Sequence, residues 1–309
     1  MSADPLARAT ASLHGLALGD AFGSQFFVPA NRQALTDRVL PPGLWQWTDD
    51  TEMACSVYRV LAEHDVIDQD RLAASFATRH DFDRGYGPAT NRMLRLIREG
   101  GDWRTLSNEL FDGKGSWGNG AAMRVAPLGT WFADDPAQVA LQAALSAQVT
   151  HTHPEAIAGA VAVAMAAATA VAEPHLSPGR FPDTISKHAP ASIVRDGISE
   201  ARQLLTISDP ALAAHILGNG RHVSAHDTVP FTLWVVARER RDFEAALWTT
   251  AAAGGDVDTT CAIVGGIIAA SGSANRLPSE WTRRCEPLPE WAGAPPLDRE
   301  PDISHGAQT

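Results

Sequence analysis

The sequence predicts an all-α protein, a single-domain orthogonal bundle of helices. Apolar residues recur at helical spacing through most of the chain, and alternating strand-like runs are nearly absent. No repeat of 20–50 residues and no long Gly/Ser or charged linker divides the 309 residues. A chain of this length can bury one large core. Apolar content of 45% with 20% charged residues fits a folded globular protein rather than a disordered one.

Taken in order, "ARATASLHGLALGDAFG" is a small, apolar helical segment ending in glycines. "TDDTEMACSVYRVLAEHD" places Met53, Val57, Val60 and Leu61 on one helical face. "GPATNRMLRLIREGG" follows, with a glycine pair as its stop. "AAMRVAPL" reads as a helix opening directly behind a glycine-rich loop. In "THTHPEAIAGAV" Thr152 or His153 is the cap and Pro154 sits in the first turn of a long alanine-rich helix. That helix carries the most membrane-like run, residues 156–172, which barely reaches spanning length and reads as a core helix. "FEAALWTTAAAGG" ends on glycines, and "DTTCAIVGGIIAASG" opens another helix. The principal domain is expected over 1–285, with 286–309 as a Pro-rich C-terminal tail of a short helix and loose chain.

A net charge of −11 argues against a broad phosphate-neutralising surface, so no general nucleic-acid surface is expected, although local backbone donors can still bind a small anion. Cys55, Cys261 and Cys285 show no CxxC spacing, and the first two look like small core residues. "MSADPLARATASLHG" has no basic-then-apolar signal pattern, which makes cytoplasm the expected compartment and no membrane partner expected.

Two acidic segments carry the chemistry. Thr48, Asp49 and Asp50 form a helix start with adjacent, mutually repelling carboxylates. Taken alone, a solvated cap explains them. About 200 residues later, "GGDVDTTCAIVGG" repeats the arrangement with Asp256, Asp258 and Thr259 behind two glycines. Together they offer hard oxygen ligands with no His or Cys, a set that selects magnesium or manganese, with calcium possible, over zinc or copper. Several carboxylates in one place suit two ions roughly 3.5–4 Å apart. Only tertiary structure can bring the segments together.

A third segment, "GKGSWGNGAAMRVAPLG", is rich in glycine and offers backbone amides to an anion such as a diphosphate. It contains GxGxxG from Gly113 to Gly118, but no apolar strand precedes it, so the dinucleotide-fold reading is weak; it is not a Walker A loop either. A plain flexible turn is the alternative. Trp117 is the tryptophan best placed for a ligand, and His151 is a candidate contact. Asp20 in "GLALGDAFGSQ" and Tyr86 in "RGYGPAT" read more simply as helix-end punctuation.

These segments together resemble the ADP-ribosylglycohydrolase family, the group containing the glycohydrolase that reactivates dinitrogenase reductase. The matching pieces are "GLALGDAFG", "WTDDTEMA", "RGYGPAT", "SWGNGAAMRVAPLG", "THTHPEA", "DTVPFTLW" and "GGDVDTTCAIVGGIIAA", from about residue 11 to residue 285. The resemblance implies an all-α fold of the ADP-ribosylglycohydrolase type with two Mg2+ (or Mn2+) in a central cleft. It implies a partner too, the ADP-ribose moiety of a modified protein or other acceptor. By position, Thr48, Asp49 and Asp50 would hold metal from one side and Asp256, Asp258 and Thr259 from the other. Gly115, Ser116, Trp117, Gly118 and Asn119 match the diphosphate loop, and His151 a phosphate-side contact. The implied reaction is water attack at the anomeric ribose carbon, with Asp50 or Asp258 accepting the proton and Asp49 and Asp256 completing the catalytic carboxylates. One departure stands out: "GDAFGSQFF" has Phe27 where the family often carries a flap glutamate. That leaves open the linkage cleaved, a non-catalytic ADP-ribose binder, or a metal-dependent hydrolase of a related phosphorylated or nucleoside metabolite.

Overall fold

The computed structural model describes residues 4–271 and 277–297, and among these every extended element is helical apart from isolated bridges. The helices that frame the core are α1 (Pro5–Ser24), α2 (Asp49–His64), α3 (Gln69–Arg79), α4 (Pro88–Arg98), α5 (Ala126–Trp131), α6 (Pro136–Gln148), α7 (Pro154–Ala172), α8 (Ile193–Gln203), α9 (Ala225–Glu239), α10 (Phe243–Ala252) and α11 (Val257–Ala269). The expected all-α single domain is what folds.

Local chemistry sets the helix starts. Thr48 caps α2 by accepting from the Asp50 N–H, His153 caps α7 through Nδ1 from the Glu155 N–H, and Pro88 and Pro154 open α4 and α7. The expected apolar face of α2, with Met53, Val57, Val60 and Leu61, is buried. So are Cys55 and Cys261. By length and composition α7 could cross a membrane, with mean hydropathy 1.8, yet 78% of that window is buried inside the protein. It packs against α5, α6 and α9 as the core helix expected of it.

The glycines of α1 differ from expectation. They do not end the helix, which runs on to Ser24. Gly15, Gly19 and Gly23 instead face α11, where an added Cβ would fall on the carbonyl oxygens of Gly265, Cys261 and Val257 respectively. Ser12 Oγ also donates to the Gly266 carbonyl, 2.7 Å away. The two backbones thus come into contact at every fourth residue from Gly15 to Gly23, just over two turns.

Two further differences follow from proline and packing. No helix opens at Ala121: a single 3-10 turn, Asn119–Ala121, is followed by irregular chain, and α5 begins only at Ala126. Pro127 has no N–H to give to the carbonyl four residues back, so a helix continued from Ala121 would lose that hydrogen bond, whereas one that starts at Ala126 does not need it. The segment after 285 is held through residue 297. Trp47 Nε1 donates to the Pro287 carbonyl, Arg84 makes paired 2.8 Å contacts with Glu286, Arg59 donates to the Trp291 carbonyl, and Ala292 is fully buried. Residues 298–309 lie outside the described residues.

The close α1–α11 contact carries a stability prediction. Gly19→Ala puts a methyl group against the Cys261 backbone and should cost about 3 kcal/mol in denaturant unfolding. Gly179→Ala, where an added Cβ meets nothing within 4 Å, should change stability by less than about 0.5 kcal/mol. Equal effects at the two positions would refute backbone contact as the cause.

Candidate active site

Three helices deliver carboxylates to one point. Gly19 lies against Cys261 and Gly23 against Val257 and Asp258, so the register of α1 on α11 sets Asp20 beside Asp258. Asp20 is completely buried and caps α2 from outside that helix. Its oxygens accept from the Thr48 N–H (2.9 Å), the Thr48 hydroxyl (2.8 Å), the Thr51 N–H (3.1 Å) and the Thr51 hydroxyl (2.6 Å). The start of α2 is thereby pinned to α1, and Asp50 is turned toward α11. One carboxylate oxygen from each of Asp20, Asp50 and Asp258 lies within 4.8 Å of the others. The Thr259 hydroxyl is 3.4 Å from Asp50 Oδ2. The two acidic segments predicted from sequence therefore meet.

Asp256 reaches the group by another route. Gly254 and Gly255 both adopt positive φ, and a Cβ on Gly255 would overlap the carbonyl of Asn219, which accepts from the Asp256 N–H. Asp256 then heads α11 without capping it, because its carboxylate accepts from Asn119 Nδ2 at 2.7 Å. Asp49, partly exposed, faces the Gly85 turn. That turn is held by Glu52, whose carboxylate accepts from the Tyr86 hydroxyl (2.6 Å) and the Asp81 N–H (3.0 Å).

Such a concentration of acid raises every proton affinity. Burial lifts Asp20 to about 6, partly offset by its threonine donors. Burial and the neighbouring Asp20 charge lift Asp49 to about 8. Asp50 and Asp258 are pushed well above the ordinary range, by burial first and then by their acidic neighbours. Among the described residues no ion pair reaches any of these five aspartates. Among the described residues Asp50 Oδ1, fully buried, has no hydrogen-bond partner. An orphaned carboxylate oxygen, oxygen-only neighbours and uncompensated negative charge fit a hard divalent cation.

The glycine-rich loop lies alongside. Gly115 has φ +73°, and a Cβ there would overlap the Thr152 hydroxyl. Among the described residues the Ser116 and Trp117 N–H groups meet no acceptor. The loop is tied to the start of α9 by Asn119 N–H to the Val223 carbonyl and Ala225 N–H to the Trp117 carbonyl. Asn119 departs from its expected place, since its side-chain amide serves Thr228 and Asp256 and no donor is left for a ligand. His151 is buried under the loop, and burial, with the nearby Arg124 charge, lowers its pKa to about 3. Phe111, at φ +52°, stacks its exposed ring on Trp117 at 6.2 Å and 11° between planes.

Sequence reasoning missed Asp20 as a structural member of the site, as well as Glu52 and Phe111. For Asp20 a signal existed: it is the only acid within a long run of small and apolar residues.

The sequence profile described as ADP-ribosylglycohydrolase matches residues 1–300. The chain belongs to the ADP-ribosylglycohydrolase family. It is 28% identical to the ADP-ribosylhydrolase ARH3 of Homo sapiens, over 92% of this chain and 91% of that one. It is 26% identical to the ADP-ribosyl-[dinitrogen reductase] glycohydrolase of Rhodospirillum rubrum, over 90% of each. A solved structure described as an ADP-ribosylglycohydrolase-related protein complex superposes with a TM-score of 0.63 at 26% identity, covering 94% of this chain and 96% of that one. Membership of this metal-dependent family supports ADP-ribosyl hydrolase activity, and the buried aspartate cluster is suited to the metal.

The raised carboxyls give a pH signature. Their folded values lie above the ordinary 3.8, so the metal-free folded chain holds extra protons. This contribution to stability is complete below about pH 4 and is lost as pH rises through about 6 and then about 8. In calorimetry with chelator, the melting temperature should fall between pH 5 and pH 8, and Mg2+ should restore it. Asp50→Asn should raise the chelated value at pH 8 and blunt the Mg2+ response. A flat profile in chelator would contradict the charge argument.

Proposed function

We propose that this protein is a hydrolase that releases ADP-ribose from a modified acceptor by water attack at the anomeric ribose carbon. The observation that carries the reading is the convergence of both acidic segments on an unpartnered Asp50 oxygen beside a loop with free backbone amides. Thr48, Asp49 and Asp50 on one side and Asp256, Asp258 and Thr259 on the other would hold two divalent ions, magnesium or manganese. Such ions, when bound, supply positive charge that orients ribose hydroxyls and lowers the pKa of a water.

The chain's own residues do the rest. Asp50 or Asp258 accepts the proton of the attacking water. Asp20 holds the start of α2 in place, and Asn119 fixes the Asp256 carboxylate. The Ser116 and Trp117 amides and His151 receive the diphosphate. Phe111 and Trp117 offer exposed aromatic faces to the adenine. Binding energy from these remote parts of the substrate positions the sugar over the carboxylates.

Phe27 sits 54% exposed on a 3-10 turn, Gln25–Phe27, and brings no acid to the departing acceptor. That favours testing several linkages and a non-catalytic binder side by side. ADP-ribose release should be followed from arginine-, serine- and nucleic-acid-linked substrates with Mg2+, with Mn2+ and with chelator. At least one linkage should be cleaved with metal and none with chelator. Asp256→Ala should lower turnover about 100-fold or more with the helical circular dichroism unchanged. Full activity in that variant would eliminate the metal reading, and tight ADP-ribose binding with no release from any substrate would identify a binder.

A further inference from the structure

We infer that Thr150 and Arg124 are positioning residues that fix His151 as the Nε2–H tautomer, aiming a ring N–H donor into the Gly118–Gly120 turn of the loop. Arg124 is fully buried in the irregular chain between the loop and α5. One guanidinium nitrogen donates to the Ser146 carbonyl and to the Thr150 hydroxyl oxygen, both at 2.9 Å. The other lies 3.5 Å from Met53 Sδ, and the group stacks 4.5 Å over the Phe76 ring. No carboxylate pairs with it among the described residues.

The tautomer follows by elimination. A guanidinium has only donors, so Thr150 Oγ1 must accept from Arg124. Thr150 is fully buried, and its remaining hydroxyl partner is His151 Nδ1 at 2.7 Å. If Nδ1 carried a hydrogen, both neighbours would donate to Thr150, and the threonine's own hydrogen would be buried without an acceptor. The satisfied arrangement has Thr150 donating to an unprotonated Nδ1. The ring is neutral, because burial and the Arg124 charge disfavour its protonation. The hydrogen therefore sits on Nε2.

Nε2 has no acceptor in the described protein. A Cβ on Gly118 or Gly120 would lie 3.1 Å or 3.0 Å from it, so the donor lies against a turn that only glycine leaves open. An anionic oxygen of the diphosphate class completes it, and here the inference rests on the ADP-ribose reading of the loop. Arg124 adds positive charge behind the ring, favouring the same anion.

The test is a long-range proton–nitrogen correlation spectrum of the 15N-labelled full chain with Mg2+, the His151 signals being assigned by their loss in His151→Gln. The parent should show an unprotonated Nδ1 and a protonated Nε2. Thr150→Val, which keeps the shape and deletes the hydroxyl, should move His151 toward the Nδ1–H form. It should also weaken ADP-ribose binding about tenfold by calorimetry. Thr150→Ser should retain both properties, which a merely space-filling threonine would not require. An Nδ1–H parent, or a folded Thr150→Val with unchanged tautomer, would overturn the relay. A parent with the Nε2–H form that binds no ADP-ribose would support the relay and overturn the functional reading instead.

Discussion

Backbone contact between α1 and α11 is the constraint on which the site depends. Helices usually pack with side chains between them, 8–10 Å apart. Gly15, Gly19 and Gly23 remove that spacer, and the carbonyls of α11 come to rest on the face of α1. Residues adjacent to the contact are then fixed to within small displacements. Asp20 follows Gly19 directly, and Asp258 follows Val257, the residue that meets Gly23. The register of one contact thus places two carboxylates, and the four hydrogen bonds from Thr48 and Thr51 to Asp20 place the third, Asp50. A single helix pair and its trans cap do what would otherwise require several independent loops.

The cost of this placement is electrostatic. Asp20 is reconciled with its burial by donors, and Asp256 by Asn119, but Asp50 retains an oxygen with no partner, and no arginine or lysine pairs with any of them among the described residues. A sequence selected only for stability would not keep that arrangement, since apolar replacements of similar volume remove the repulsion and the desolvation together. The surrounding core explains how it is tolerated. α7 is buried over most of its length, and the aromatic cluster of Phe22, Trp45, Trp248 and Trp281 packs against the same end of α1 that carries Asp20.

Much of this was legible in the chain, and the parts that were not share a cause. The spacing of Thr48–Asp50 and Asp256–Thr259, the capped start of α7 and the core face of α2 are local patterns, readable because helix periodicity and caps are properties of neighbouring residues. Asp20 belongs to the site through contacts with residues 28 and 31 positions away, and nothing local distinguishes its glycines as packing surfaces rather than stops. "AAMRVAPL" misled for a related reason. Its composition favours a helix, whereas Pro127 and the burial of Arg124 impose a different backbone. Asn119 was read as a loop residue because it lies in the loop, while its side chain is claimed by Asp256, 137 residues away.

Asn119 is also the joint between two regions of opposite electrical character. On one side, five aspartates are crowded with no ion pair among the described residues and call for positive charge. On the other, Ser116 and Trp117 present amide hydrogens, and Arg124, with no carboxylate bonded to it among the described residues, lies behind a neutral His151. A ligand suited to both regions must present hydroxyl oxygens that can share a cation at one end and a doubly anionic linkage at the other. ADP-ribose has that polarity along its length, from terminal ribose to diphosphate. Since Asn119 has its backbone N–H on Val223 and its amide on Thr228 and Asp256, the spacing between the two regions is set by one side chain buried in both. Specificity on this scaffold would then rest less on any single contact than on the fixed distance between a cation-demanding end and an anion-demanding one.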